Sequence, residues 1–163
     1  MSVNPILDAS NAIIAHTLTA SFALILGPFV FTPKRRGKLH KTLGYVWITS
    51  LFVAACSSFF IHEIRLAGPF SPIHILSVIT LIGLARGLLY IRQGNVLAHQ
   101  RTMLSLYWLG VLAAGIFTML PGRIMNDVLF PNAPWMGYVV IVLGSILITR
   151  FVLRQSGTAA GPA

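Results

Sequence analysis

Four of the five histidines in this 163-residue chain fall into two matched pairs, and they carry its clearest chemical signal. His16 and His74 each lie about one turn into an apolar run, whereas His40 and His99 each lie where the next run begins. Histidine within a membrane is costly and usually faces the interior of the bundle. Two imidazoles that face each other can bind the iron of a six-coordinate b-type haem from both sides. The spacing therefore predicts an outer ligand pair, His16 with His74, and an inner pair, His40 with His99.

The haem macrocycle needs room, and small residues near the histidines, among them Gly27, Gly83 and Gly87, are expected to provide it. Haem also carries propionate groups, so the predicted sites need cations near the membrane interface. Lys38, Lys41 and Arg101 flank the inner pair. Arg86 lies within the third apolar run, where it either extends to the cytoplasmic surface or binds a propionate or a quinone oxygen. The same four histidines could instead hold a bare copper or zinc ion, since imidazole suits both metals. The absence of a nearby carboxylate or thiolate weakens that alternative.

The composition indicates that these histidines are positioned by membrane-spanning helices. The chain is 56% hydrophobic and 9% charged, whereas a soluble domain carries about 25% charge. The net charge of +9 does not indicate nucleic-acid binding, because the basic residues lie in short loops between apolar runs. With three acidic residues and one cysteine, neither a paired-carboxylate site nor a disulfide framework is expected. There is no hydrolase or transferase motif, so any enzymatic role would be electron transfer.

Five apolar runs approach the roughly 20 residues that a bilayer-spanning helix needs. They predict an all-α integral membrane protein, with one bundle over residues 1–155 and a disordered tail at 156–163. Ser10 or Asn11 is expected to cap the first span, and Ser71-Pro72 to open the third. The predicted spans are about 11–31, 43–61, 72–91, 103–120 and 135–152. Residues 121–134 contain three prolines and are expected to form a loop.

The aromatic residues near the span ends are expected to lie at the membrane interface. Trp135 and Tyr138 are expected to anchor the fifth span, and Tyr45, Trp47, Tyr107 and Trp108 to belong to the aromatic belt.

The distribution of Lys and Arg predicts the orientation of the chain in the membrane. Five basic residues lie between the first two spans, and others lie between the third and fourth spans and at the C-terminal end. Cytoplasmic loops carry the excess of Lys and Arg. We therefore expect a multi-pass protein of the cell (inner) membrane, with its N-terminus outside and its C-terminus in the cytoplasm.

The first four spans read as two copies of one helical hairpin, at about 11–62 and 72–120. Placing His16 on His74 aligns the following helices without a gap, and placing His40 on His99 does the same. Copies that begin on the same side of the membrane are parallel repeats about an axis along the membrane normal. The expected architecture is a duplicated four-helix core with a peripheral fifth helix.

The placement of these four histidines over residues 12–120 resembles the cytochrome b561 type of di-haem membrane protein. The resemblance implies two b-type haems and transmembrane electron transfer, often from ascorbate or a quinol. The partner expected for this chain is a quinone or a membrane oxidoreductase. Segments 37–47 and 70–77 are also similar to an uncharacterised family of small bacterial membrane proteins. Two functions outside redox chemistry stay open: a non-catalytic assembly or scaffold protein of a respiratory complex, and a metal or small-solute transporter.

Overall fold

The computed structural model of the protein describes residues 8–31, 37–61 and 72–158, and every regular element in these ranges is helical. This confirms the predicted all-α class. The elements are α1 (Asn11–Val30), α2 (Lys38–Ser58), α3 (Pro72–Arg92), α4 (Val96–Ser105), a π-helix (Leu106–Leu112), α5 (Ala113–Phe117), α6 (Ile124–Leu129) and α7 (Met136–Thr158).

Within the described residues, two helices are long and apolar enough to cross a membrane, Asn11–Val30 and Ile73–Arg92. Met136–Arg150 is a shorter apolar helix. Large apolar side chains such as Leu18 and Ile79 are exposed on these helices. A helix that is apolar on all sides and unburied by its own chain is typical of a lipid-facing surface. The arrangement of five spans stays a prediction.

The helix starts are set by side-chain caps, which coincide with the limit of the apolar run in α1 but not in α4. The Ser10 hydroxyl accepts a hydrogen bond from the Ile13 amide at 3.4 Å, which confirms the predicted cap of α1. α4 begins at Val96, well before the predicted position 103, because the Asn95 side chain caps it and accepts from the Ala98 amide at 3.0 Å. The helix therefore begins about two turns before the predicted start of the fourth span.

The second helix also starts before its apolar run, at Lys38 rather than at position 43. Gly37 precedes it with a φ of 97°, a left-handed conformation that glycine adopts readily. Lys38 and Lys41 are consequently part of the first helical turn, and both side chains are exposed. His40 lies between them on the same turn, so its position is set by the helix and not by a loop.

The chain divides into two compact units. The N-terminal unit, residues 9–111, has a core centred on Trp47, which is 1% exposed. The Trp47 indole Nε1 donates a hydrogen bond to the Ala23 carbonyl at 2.9 Å. Phe31 packs edge-on against the same indole, with ring centres 5.2 Å apart. The other buried members of this core are Ala23, Val30, Leu51, Leu84, Met103, Leu106, Tyr107 and Val111.

A π-helix interrupts the fourth apolar run, which the sequence predicts as one regular span. It covers Leu106–Leu112, and its Leu106, Tyr107 and Val111 side chains are buried. Each turn of a π-helix holds more residues than an α-helical turn, and such segments are rare and short. α-Helical geometry resumes at Ala113 and ends at Phe117, three residues before the predicted end.

The C-terminal unit contains a helix that the sequence analysis places in a loop. α6 lies within segment 121–134, which we expected to be irregular because of its prolines. Asn126 of this helix is fully buried, and its Nδ2 donates to the carbonyls of Met119 at 2.6 Å and Pro134 at 3.0 Å. These bonds hold the segment folded. α7 continues to Thr158 and so includes residues 156–158, which were predicted as tail.

Candidate functional site

The inner histidines each contact the end of the preceding helix. His40, in the first turn of α2, has its Nδ1 atom 3.2 Å from the carbonyl oxygen of Val30 in α1. His99, in the first turn of α4, has its Nδ1 atom 2.8 Å from the carbonyl oxygen of Gly87 in α3. Both rings are partly buried. The two predicted hairpins thus place histidine in the same local role, as a donor to a carbonyl near the end of the helix before it.

The outer histidines both contact α2 and the turn that follows it. His16 of α1 has its Nδ1 atom 2.8 Å from the carbonyl oxygen of Ala54. His74 of α3 is buried, and its Nε2 atom lies 3.3 Å from the carbonyl oxygen of Phe59. The His74 and Phe59 rings are tilted against each other, with centres 5.8 Å apart. Because the two acceptors are five residues apart, roughly 8 Å of helix rise separates them.

These hydrogen bonds determine which ring nitrogen carries the proton, that is the tautomer, in three of the neutral imidazoles. A carbonyl oxygen only accepts, so the ring nitrogen next to it must carry the proton. In His16, His40 and His99 that nitrogen is Nδ1, which leaves the Nε2 lone pair of the neutral ring for another partner. His74 is bound the other way round, through Nε2. Metal-binding histidines commonly donate their second N–H to a backbone carbonyl in this manner.

Small residues predicted to leave room for a macrocycle face protein side chains instead. Beside Gly27 of α1 lies the Tyr107 ring, and beside Gly87 of α3 lies the Met103 methyl group. A Cβ atom on Gly83 would lie 2.7 Å from the Leu106 side chain. The glycines therefore serve as notches that admit side chains of α4 and the π-helix. At the inner level, the expectation of an open space beside these glycines was wrong.

The predicted cationic ligands lie at the surface. Lys38, Lys41 and Arg101 have exposed side chains. Arg86 is exposed as well, and its Nη2 atom donates to the Tyr90 hydroxyl at 3.0 Å. Because Tyr90 is one turn further along the same helix, this bond directs Arg86 along α3 towards the predicted cytoplasmic end. No three His, Cys, Asp or Glu side chains within the described ranges come together as a metal site.

Comparison with known protein families supports the membrane assignment. The family model for a predicted membrane protein, DUF2306, matches residues 13–154. The chain belongs to this family. No curated protein and no solved structure matches the chain. Membership in DUF2306 confirms the resemblance to an uncharacterised membrane family, and it agrees with contact between the exposed apolar helices and a lipid bilayer. The resemblance to cytochrome b561 stays a prediction.

The DUF2306 chain also has a polar contact between helices that the sequence analysis missed. The buried hydroxyls of Ser58 in α2 and Ser77 in α3 are hydrogen-bonded to each other. Ser77 also donates to the Ile73 carbonyl at 2.8 Å. His74, Ser77 and Thr80 recur at intervals of three, so they lie on one face of α3 and could have been recognised as a polar stripe. Polar side chains of this kind join helices in membranes.

A second contact that was not predicted supplies a hydrogen-bond donor to a backbone carbonyl of α1. Pro28 has no N–H group, so the Leu24 carbonyl lacks its usual helical donor. The Tyr107 hydroxyl donates to that carbonyl at 3.2 Å. The notch at Gly27 admits the ring that carries this hydroxyl. Proline, glycine and tyrosine therefore act together to join the π-helix to α1.

We expect Tyr107→Phe to reduce the free energy of unfolding by about 1 kcal/mol, the usual contribution of one such hydrogen bond. In a Pro28→Ala background the same change should have a much smaller effect, because the amide of Ala at position 28 can bond to the Leu24 carbonyl. Unfolding titrations in mixed micelles can measure this double-mutant cycle. Tyr45→Phe, at an exposed tyrosine of α2, is the control. If Tyr107→Phe lowers the free energy of unfolding equally in both backgrounds, the Tyr107 hydroxyl does not replace the donor that Pro28 lacks.

Proposed function

We propose that this membrane protein binds b-type haem through its paired histidines and carries electrons across the cell (inner) membrane. Support comes from the ring orientation of His16, His40 and His99, each of which donates its Nδ1 proton to a carbonyl and keeps an Nε2 lone pair. This is the orientation that the second hydrogen bond of a metal ligand provides. Bound haem would supply one-electron iron chemistry between two imidazoles.

The imidazole nitrogens are suitable ligands for haem iron, but the packing around them does not provide the space that haem needs at both levels. At the inner level the faces of Gly27 and Gly87 are covered by Tyr107 and Met103, so a macrocycle does not fit beside them in this packing. We therefore assign no electron-transfer step to the pair His40 and His99. The outer residues His16 and His74 bond separately to the carbonyls of Ala54 in α2 and of Phe59 just after it. The proposal is tested separately at the two levels.

The proposed topology has five spans, a duplicated hairpin, an outside N-terminus and a cytoplasmic C-terminus. The concentration of Lys and Arg between alternate helices supports it. In this orientation Lys38, Lys41 and Arg101 lie at the cytoplasmic surface, where they could bind propionates or an electron-transfer partner. A quinone or a membrane oxidoreductase is the proposed partner.

A non-catalytic scaffold or assembly protein is the second candidate. It is favoured by the observation that all four histidines have backbone acceptors and that three glycine notches are filled by side chains. In this reading the imidazoles join helix to helix, as polar side chains do in membranes. The protein would then need no cofactor to be stable.

A reduced-minus-oxidised absorption spectrum of the purified protein, expressed with haem supply, distinguishes the two functions. We expect a b-type α-band that His16→Asn, at the outer level, removes; a decrease in His99→Asn as well would show that the inner level also binds haem. Asparagine can still donate an N–H to the carbonyl but has no imidazole nitrogen for iron. His62→Asn, at the histidine outside the matched pairs, should keep the full band.

A colourless preparation would overturn the haem proposal, and metal analysis would then test for copper or zinc. A band that survives in both variants would show that the ligands are other residues. Loss of the α-band in only one of the two variants would assign a single haem to the histidine pair that this variant changes. A stable, colourless and metal-free protein is the result expected of a scaffold.

A further inference from the structure

The helix α7 carries a shallow groove of about 400 Å³ that is lined by residues of this helix alone. One face of α7 forms it, over two and a half turns. Its floor is apolar for most of its length, and hydroxyl and guanidinium groups lie at one end. The lining residues are Ile141, Val142, Ser145, Ile146, Thr149 and Arg150.

We propose that this groove binds one anionic phospholipid of the cytoplasmic leaflet. The length of the groove agrees with that ligand. Ile141 and Arg150 are nine residues apart, which is about 13.5 Å at 1.5 Å per residue. One leaflet contributes half of a hydrocarbon core that is about 30 Å thick. An acyl chain can therefore lie along Ile141, Val142 and Ile146 while the headgroup reaches Thr149 and Arg150.

The charge of the groove selects an anionic headgroup. Arg150 is exposed, and within the described ranges no carboxylate forms an ion pair with it. The hydroxyls of Ser145 and Thr149 stand one turn apart on the same face. A phosphate at this end would accept hydrogen bonds from Arg150 and from Thr149. Basic residues near the cytoplasmic surface attract anionic lipids in this way.

A second copy of the chain is a poorer occupant than a lipid. Segment 136–150 contains no acidic residue, and the whole chain has only three, at Asp8, Glu63 and Asp127. A two-fold pair through this face would present the same patch on both partners. It would therefore bring Arg150 against a surface without a carboxylate, whereas an anionic lipid supplies the missing negative charge.

Native mass spectrometry of the full chain in a neutral detergent tests the proposal with two lipids that have the same acyl chains. We expect dioleoyl-phosphatidylglycerol to bind about fivefold more tightly than dioleoyl-phosphatidylcholine, the factor that one basic residue near an anionic headgroup contributes. Arg150→Gln should abolish this preference. Ile146→Trp, which fills the groove, should weaken binding of both lipids.

The matched control is Arg92→Gln, at an exposed arginine that ends α3 on the same predicted side of the membrane. It should leave the preference intact. Equal affinity of the unmodified protein for the two lipids would overturn the proposal. An equal decrease in the preference for phosphatidylglycerol in Arg150→Gln and Arg92→Gln would also overturn it, because it would indicate nonspecific electrostatic attraction. A disulfide-linked dimer of a Ser145→Cys variant, formed equally with and without phosphatidylglycerol, would instead assign the groove to a second copy.

Discussion

Replacing Trp47 with alanine should reduce the free energy of unfolding by about 3–5 kcal/mol, the range found when a large buried aromatic is removed. Trp47 is 1% exposed and touches both α1 and the aromatic ring of Phe31. Truncation leaves a cavity at the centre of the N-terminal unit. It also removes the indole donor of the Ala23 carbonyl. Reversible unfolding in mixed micelles measures the loss.

Two further substitutions separate volume from hydrogen bonding at this position. Trp47→Phe keeps much of the ring and loses the indole N–H, so a smaller loss is expected, about 1 kcal/mol from the hydrogen bond plus a small cavity. Tyr45→Ala removes an aromatic ring that is 57% exposed on the same helix. It should change stability by about 0.5 kcal/mol or less. If Tyr45→Ala and Trp47→Ala cost the same, the assignment of Trp47 to the core is wrong.

Asn126→Asp should destabilise the C-terminal unit by about 3–5 kcal/mol, the cost typical of a buried charge without a partner. The Asn126 Nδ2 donates to the carbonyls of Met119 and Pro134, and its Oδ1 has no hydrogen-bond partner among the described residues. An aspartate would place an acceptor oxygen against two carbonyl oxygens. Protonation of the carboxyl would relieve only one of these contacts.

The neighbouring residue provides the control for this prediction. Asp127 is exposed, so Asp127→Asn makes the reverse chemical change one position away without altering a buried contact. Thermal unfolding in detergent should show a large decrease in Tm for Asn126→Asp and little change for Asp127→Asn. Limited proteolysis should cut segment 119–134 faster in the first variant only. Equal Tm values would mean that Asn126 does not hold this segment.

Local signals in the sequence located the long helices, and the errors at the ends of these helices also have local causes. Hydropathy shows which residues can be buried in lipid. The start of a helix is set instead by the residue that caps its first backbone N–H groups, which have no acceptor within the helix. Gly37 and Asn95 are such end signals, and they lie outside the apolar runs that were used to place the second and fourth spans. The Ser10 cap was predicted because it directly precedes an apolar run.

The sequence did not distinguish aromatic residues that face lipid from those that face other helices. Trp47 and Tyr107 read as interfacial belt residues, but both are buried. Their burial depends on a notch at Gly27 and on a free carbonyl at Leu24, and both features lie on another helix. Long-range pairing of this kind leaves no periodic trace in a single sequence. Tyr45 and Tyr138, read in the same way, are exposed.

The histidines show the same division between what sequence can and cannot provide. Their positions near helix starts followed from the apolar runs and their ends. Their acceptors did not, because the carbonyls of Val30, Ala54 and Gly87 have no residue-specific signature. Any residue offers a carbonyl. Identifying the bound one requires the crossing of two helices, which only coordinates supply.

The π-helix has a consequence for the ancestry of the predicted hairpin copies. A wider turn changes the angular phase of every residue that follows it. By number, Ala113 and Ala114 align with Ala54 and Ala55, yet the first pair is partly exposed and the second pair is buried. If the copies descend from one gene segment, the second copy has gained a shift in helical phase. Residues that follow His99 then occupy the same helix face as their counterparts after His40 only as far as about Leu106.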